Sequence, residues 1–158
     1  MIGIRSISGY VPSTGVLASD LAQELGEKPD FPTLRLGTEN LPRLAAGDDT
    51  SDLAAHAIEL LLEKNSLDLN EIDCLVVCTQ NPDGTGLPHT SAIVQSKVGV
   101  PDSCACFDIS LGCSGYVYGL NVVKGFMEAS NLKCGILVTA DPYSKALDKT
   151  DRNTAMLF

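Results

Sequence analysis

Cys113 is the residue whose type and position most clearly indicate chemistry, within the stretch FDISLGCSGY at 107–116. An apolar strand is predicted to turn sharply through 110–112 into a helix that begins near this cysteine. A helix N-terminus carries about half a positive charge and free N–H groups, which favour a thiolate. The same N–H groups can hold an oxyanion formed by attack on a thioester or ester. The pattern therefore predicts a nucleophile, with a buried structural cysteine as the alternative.

Other candidates for the same chemistry are weaker. A cysteine nucleophile often works with a histidine base, and the chain has two histidines. His56 lies in an alanine-rich helical pattern and is expected to be packed or on the surface. His89 lies at a predicted helix start and is the better of the two candidates for a local base. Asp108 is expected to have a structural role in the turn. Cys104 and Cys106 could form a redox pair, although a place on one strand face is the favoured interpretation.

Six cysteines stand at 74, 78, 104, 106, 113 and 134. Five lie in apolar stretches that are predicted to be strands, where reduced thiols serve as small core residues. The spacing Cys104-x-Cys106 has no matching second pair, so a zinc site is not predicted. These observations favour a reducing compartment and no metal.

Composition excludes several classes of protein. The 158 residues are 44% hydrophobic and 20% charged, which excludes a disordered chain. The net charge of −9 argues against nucleic acid and anionic membranes as partners, because both require basic patches. No stretch approaches the roughly 20 apolar residues of a membrane span, and the N-terminus lacks the pattern of a signal peptide. The sequence therefore predicts a cytoplasmic protein.

Apolar periodicity predicts strands that alternate with helices, and hence an α/β fold with a mostly parallel sheet covered on both faces. The segment 13–49 gives only a weak pattern, with one short helix from 19 to 25. The abrupt apolar ending at 155–158 predicts that the natural chain continues. The predicted strands are 2–11, 73–79, 104–109, 134–140 and one beginning at 154; the predicted helices begin at Thr50 or Ser51, at 88–90 and near 113, and end near 65, 99 and 130.

The sequence resembles the N-terminal half of β-ketoacyl-acyl carrier protein synthase III, of the thiolase superfamily, along its whole length. The most specific match is FDISLGCSGYVYGL at 107–120, which is close to the family's FDxxxxCSGFxYAL nucleophile segment. The family usually continues into GDGA where this chain stops. Further similar segments are R-x-G and RLAAG within 35–47, TSDLA at 50–54, TQNPD at 79–83 and DKTDRNT at 148–154.

The resemblance implies a fold and an activity. The expected fold is a thiolase-like half, with a mixed, mostly parallel five-stranded sheet and helices on both faces, in one domain over 1–158. The expected reaction is a decarboxylative Claisen condensation. Cys113 takes the acyl group of an acyl-CoA primer, and malonyl-acyl carrier protein then supplies the carbanion. The His and Asn that the family uses for decarboxylation belong to the C-terminal half, which is absent here, so this chain alone is expected to be inactive.

The resemblance also implies binding residues and an assembly. Arg152 matches the arginine that contacts the adenine region of CoA, and Phe31 falls near an adenine-stacking Trp, although the chain has no Trp. Arg35 is a candidate for the CoA phosphates, with a solvated surface residue as an equal alternative. Leu87 would reach across a homodimer into the partner's acyl pocket, and strand 104–109 would pair the subunits. No permanently bound cofactor is expected.

Three alternatives stay open at this stage. The first is a non-catalytic, half-length partner subunit of a condensing enzyme. The second is a specialised secondary-metabolite or hydroxymethylglutaryl-CoA-synthase-like acyltransferase that uses the same cysteine, and the third is a plain cysteine acyltransferase or thioesterase. Carrier proteins are acidic and require a basic docking site. This acidic chain shows no strong Lys/Arg cluster, so the acceptor is open.

Overall fold

The computed structural model describes residues 2–152 and 154–157, which divide into two compact units. The first unit contains the N-terminal segment up to Tyr10 and Asp49–Asp141; the second contains Val11–Asp48 and the chain from Pro142 onward. The longer elements are, in chain order, β1 (Gly15–Leu17), α1 (Ala18–Glu24), β2 (Asn40–Pro42), α2 (Thr50–Asn65), β3 (Cys74–Cys78), α3 (Thr90–Val98), β4 (Ala105–Ile109), α4 (Gly115–Ser130) and β5 (Gly135–Thr139).

The first unit is built on a parallel sheet of three strands in the order β4-β3-β5. At its centre, Val76 of β3 lies opposite Phe107 of β4 and Leu137 of β5. All five residues of β3 are buried, which explains why its sequence, CLVVC, contains no polar alternation. One core joins this sheet to α2 and α3, and a second core joins it to α4. The predicted α/β class, with helices on both faces, is therefore confirmed.

Helix α2 runs to Asn65 as predicted, but its cap is neither Thr50 nor Ser51. Asp49 is the N-cap, and its carboxylate accepts a hydrogen bond from the N–H of Thr50 at 2.8 Å. The N–H of Asp49 in turn donates to Oδ2 of Asp52 at 2.8 Å. This reciprocal pair is a capping box, in which two acidic residues replace the usual hydroxyl and Glu.

Two predicted strands are wrong, and the main sheet has three strands rather than five. Residues 2–10 run without a strand partner among the described residues, and most of their side chains are exposed. Alternation marks an extended segment, but it does not show where its partner lies. Residues 154–157 form a turn, in which the N–H of Leu157 donates to the carbonyl of Thr154 at 3.0 Å. Residue 158, the last of that predicted strand, lies outside the described residues.

The second unit contains α1 and the remaining two strands, β1 and β2, which pair antiparallel with Val16 opposite Leu41. Each strand has only three residues, too few for a recognisable alternation. A short π-helical turn, Pro32–Leu36, follows α1 and ends at Gly37, whose φ of 69° is left-handed. In neither unit do the described residues form a helix long and apolar enough to cross a membrane.

Candidate active site

Cys113 lies in the turn 110–114 that joins the end of β4 to the start of α4, and its side chain is exposed. The helix begins at Gly115, two residues later than the sequence predicts. The N–H of Gly115 donates to the carbonyl of Gly112 at 2.7 Å and closes the turn. The first helical hydrogen bond runs from the N–H of Tyr118 to the carbonyl of Ser114, at 3.1 Å. The cysteine is therefore held at the start of a helix.

In the part of the chain that the structure describes, no side chain accepts a hydrogen bond from the first N–H groups of α4, whereas side chains do so at the starts of α2 and α3. Helix α2 is capped by Asp49, and Asp83 accepts hydrogen bonds from both the N–H and the Oγ of Ser51. At the start of α3, the two carboxylate oxygens of Asp108 accept hydrogen bonds from the N–H groups of Thr90 at 2.7 Å and Ser91 at 2.8 Å. The positive end of α4 is therefore left open beside Cys113.

The hydrogen bonds of Asp108 also show what its side chain does in the fold. Its carboxylate serves the start of α3, not the turn in which the sequence placed it. The residues that it binds are 17 and 18 positions away along the chain. Asp108 is therefore structural, and it ties strand β4 to helix α3.

The other five cysteines lie in positions where burial disfavours the thiolate. Burial raises the pKa of the Cys74 thiol to about 11 and that of the Cys104 thiol to about 12. Burial also raises the pKa of the thiols of Cys78, Cys106 and Cys134. Because the thiolate is the nucleophile, these groups are poor nucleophiles at neutral pH, and the exposed Cys113 is favoured among the six free cysteines.

Cys104 directly precedes β4 and Cys106 is the second residue of that strand, with their Sγ atoms 4.0 Å apart. Both belong to the core that joins the sheet to α2 and α3. This is the strand-face placement that the sequence favours. Across the described part of the chain, no group of three or more His, Cys, Asp or Glu side chains could hold a metal ion.

Asp141, which sequence reasoning missed, organises the same edge of the sheet. It follows β5, and its Oδ1 accepts three hydrogen bonds: from Oγ1 of Thr79 at 3.0 Å, from the N–H of Gln80 at 2.7 Å and from Nδ2 of Asn81 at 3.2 Å. Thr79 also donates its N–H to the carbonyl of Ile109, just before the Cys113 turn. Parallel strands end at one edge of a sheet, and that rule is the signal that could have found this residue.

Neither histidine forms a hydrogen bond with Cys113 in the parts of the chain that are described. His56 packs against Tyr10 with the two rings tilted by 50° and their centroids 4.9 Å apart, and its Nδ1 lies 3.2 Å from Oε2 of Glu59 on the exposed side of α2. His89 occupies the N-cap position of α3 without a side-chain capping bond. Leu87, two residues earlier, is 85% exposed and precedes a cis Pro88.

In the second unit, two of the three residues predicted to hold CoA line one pocket. Phe31 and Arg152 face a volume of about 230 Å³ that is also lined by Glu27, Leu36, Met156 and Leu157. Nη2 of Arg152 lies 3.0 Å from Oε1 of Glu27. Arg35 belongs to the neighbouring π-helical turn and is exposed, but it does not line this pocket.

Comparison with known proteins bears on this arrangement. Residues 107–158, which include the Cys113 turn, match the family described as 3-oxoacyl-[acyl-carrier-protein (ACP)] synthase III. A β-ketoacyl-[acyl-carrier-protein] synthase III of Sulfurimonas denitrificans is 35% identical over 154 residues, which are 98% of this chain and 46% of the relative. The chain thus spans about half the length of the curated relatives that it matches.

Solved structures of related proteins superpose on this chain. The β-ketoacyl-[acyl carrier protein] synthase III of Thermus thermophilus superposes with a TM-score of 0.90 at 32% identity, covering 99% of this chain and 48% of that one. MvaS in complex with 3-hydroxy-3-methylglutaryl coenzyme A superposes with a TM-score of 0.79 at 28% identity, covering 88% and 34%. The fold is thiolase-like. The chain is thus similar, over 98% of its length, to one half of the synthase III proteins of this superfamily.

Proposed function

We propose that this chain is the nucleophile-bearing half of a condensing acyltransferase that loads an acyl group onto Cys113. The observation that carries the proposal is the exposed thiol at the start of α4, where no described side chain caps the N-terminal N–H groups. It stands in the segment that matches the synthase III family. A thiolate there attacks the carbonyl carbon of an acyl-CoA thioester. The N–H groups at the helix start face the oxyanion that forms.

The first half-reaction is a transthioesterification. The Sγ of Cys113 forms a bond to the acyl carbon, the bond between that carbon and the sulfur of CoA breaks, and CoA leaves as a thiolate that takes up a proton. In the second half-reaction, malonyl-acyl carrier protein loses CO2. Its carbanion attacks the acyl-enzyme and releases the Cys113 thiolate. The decarboxylation is assigned to the His and the Asn that the family carries in its C-terminal half, since neither His56 nor His89 forms a hydrogen bond with the thiol among the described residues.

Phe31 and Arg152 are proposed to hold the adenine end of CoA, since they line one pocket. Phe31 offers a ring for stacking in place of a Trp, and Arg152 offers a cation whose approach to Glu27 orients it. Arg35, exposed on the adjacent turn, is proposed to meet the CoA phosphates. CoA thus acts as a substrate and not as a bound cofactor.

The complete protein is proposed to be a cytoplasmic homodimer. All six cysteines lie in the described part of the chain and are free thiols, as expected in a reducing compartment. Strand β4 is an edge of the parallel sheet and can pair with its copy in a second subunit. The exposed Leu87 would then enter the partner's acyl pocket.

The likeness to MvaS in complex with 3-hydroxy-3-methylglutaryl coenzyme A favours one second candidate. In that case the same Cys113 would carry the acyl group, but the acceptor would be an acyl-CoA rather than malonyl-acyl carrier protein. A non-catalytic partner subunit is the remaining hypothesis. It would be favoured by a stop codon directly after residue 158 and disfavoured by a reading frame that continues into GDGA and later His and Asn segments.

The test is a product assay on the complete protein. Acetyl-CoA is supplied with malonyl-acyl carrier protein or with acetoacetyl-CoA, and the products are separated by mass. We expect a β-ketoacyl-carrier protein and CO2, both abolished by Cys113→Ala. Formation of hydroxymethylglutaryl-CoA would support the second candidate, and no product from either acceptor would contradict both enzymatic proposals. The 158-residue chain, assayed beside it, is expected to form no condensation product.

A further inference from the structure

A second cysteine lies directly beneath the Cys113 turn. Cys78 is the last residue of β3 and is only 1% exposed. Its Sγ donates a hydrogen bond to the carbonyl of Leu111 at 3.4 Å. Over the described residues, this is the only hydrogen bond that a side chain makes to the turn 110–114.

The same sulfur packs against the start of helix α4. At Gly115 a Cβ would overlap the Sγ of Cys78, so helix and sulfur approach as closely as a residue without a side chain permits. Cys78 therefore contacts both ends of the segment that carries Cys113. One contact is at Leu111, two residues before the nucleophile, and the other is at Gly115, two residues after it.

Cys78 is itself fixed by the sheet. It lies opposite Ile109 of β4 and Thr139 of β5, and its carbonyl accepts a hydrogen bond from the N–H of Ala140 at 3.2 Å. The sulfur thus projects from a backbone that is paired on both sides. Burial raises the pKa of this thiol, so that it keeps its proton and its role as a donor at neutral pH.

We propose that Cys78 is a positioning residue for Cys113: its thiol supports the turn 110–114 and holds the nucleophile at the open N-terminus of α4. The proposal rests on the proposed function for its meaning in catalysis. Its physical content, the placement of Cys113 relative to the helix, can be measured without any acyl donor. Loss of the support should let the turn move and weaken the effect of the helix on the Cys113 thiol.

The experiment measures the rate of Cys113 alkylation by limiting iodoacetamide, from pH 6 to 10, on the complete protein, with peptide mass spectrometry to isolate this site. In Cys78→Ala, the rate profile should shift to lower rates, by about two- to fivefold at neutral pH, the size of a helix-terminus effect on a charge. Cys78→Ser keeps a donor at the same position and should restore most of the wild-type profile.

Cys74→Ala is the matched control. Cys74 is the first residue of β3 and is also fully buried, but it packs against Gly135, at the opposite end of the strand from the turn. This variant should lower Tm without moving the profile. Cys78→Val, which fills the space but cannot donate, replaces Cys78→Ala if the alanine variant does not fold, and it should also lower the rates.

The possible results distinguish the positioning role of Cys78 from the proposed function. If the Cys78 variants lower Tm as Cys74→Ala does but leave the profile unchanged, Cys78 is a packing residue and the inference is wrong. If the profile moves as expected while Cys113 is never acylated by acyl-CoA, the positioning role stands and the proposed function fails.

Discussion

Gly115→Ala is the substitution that most sharply tests the geometry around the nucleophile. The added methyl group would overlap the Sγ of Cys78 and would lie 3.3 Å from the Cβ of Leu111. The sulfur cannot withdraw easily, because Cys78 is buried and paired with strands on both sides. Overpacking of this kind costs about 1–3 kcal/mol in the free energy of unfolding. The same displacement should move the turn and slow the alkylation of Cys113.

Gly125→Ala provides the control within the same helix. A Cβ at position 125 has no heavy atom within 4 Å, and the residue is exposed. Alanine there should raise the free energy of unfolding by about 0.5–1 kcal/mol, because glycine loses more backbone entropy in a helix. Urea unfolding of both variants, with the iodoacetamide rate at Cys113, measures both effects. Equal stability changes in the two variants, or a Gly115→Ala protein with wild-type stability and reactivity, would refute the reasoning.

Three further predictions concern other parts of the first unit. Ser91→Ala should raise the free energy of unfolding by about 1 kcal/mol, because the buried Ser91 Oγ has no hydrogen-bond partner among the described residues and its desolvation is uncompensated; a loss of stability in urea unfolding would contradict this. Above pH 9.0, unfolded thiols lose protons that Cys74 and Cys104 retain up to about 11 and about 12 in the folded protein. The free energy of unfolding should therefore fall as pH rises, by at most about 1.4 kcal/mol per pH unit for each thiol, and Cys74→Ala or Cys104→Ala should make that fall shallower. Leu87→Phe in the complete protein should lower kcat/KM for long acyl donors more than for acetyl. Each buried methylene is worth about 0.8 kcal/mol, and the larger ring would shorten the acyl pocket proposed above. A uniform loss across the series would show that Leu87 only packs its loop.

The elements of the first unit were largely predictable because their signals are local. CLVVC is an unbroken apolar run, and β3 occupies it as a strand that is buried throughout. Helix α3 ends before Gly99, whose φ of 81° suits glycine, as the sequence predicts. The two wrong predictions of a strand share one cause. A strand needs a partner, and a pattern within one segment does not show whether that partner is available.

The site was predictable only in part, for a related reason. Cys113 could be placed from its own strand–turn–helix segment. The roles of Cys78, Asp108 and Asp141 arise from contacts between residues that are distant in sequence, such as the 33 positions between Cys78 and Leu111. These contacts depend on strand register, which places Cys78 opposite Ile109. No local pattern contains that information.

The most direct test of the central claim is to detect the acyl-enzyme itself. The complete protein is mixed with a short-chain acyl-CoA in the absence of malonyl-acyl carrier protein, quenched in acid and digested, and the peptide containing residue 113 is analysed by mass spectrometry. We predict one added acyl group on Cys113, sensitive to hydroxylamine as a thioester is, and none on the peptides of the other five cysteines. Cys113→Ala should take up no acyl group. Acylation at another cysteine, or acylation that persists in Cys113→Ala, would contradict the assignment of Cys113 as the nucleophile.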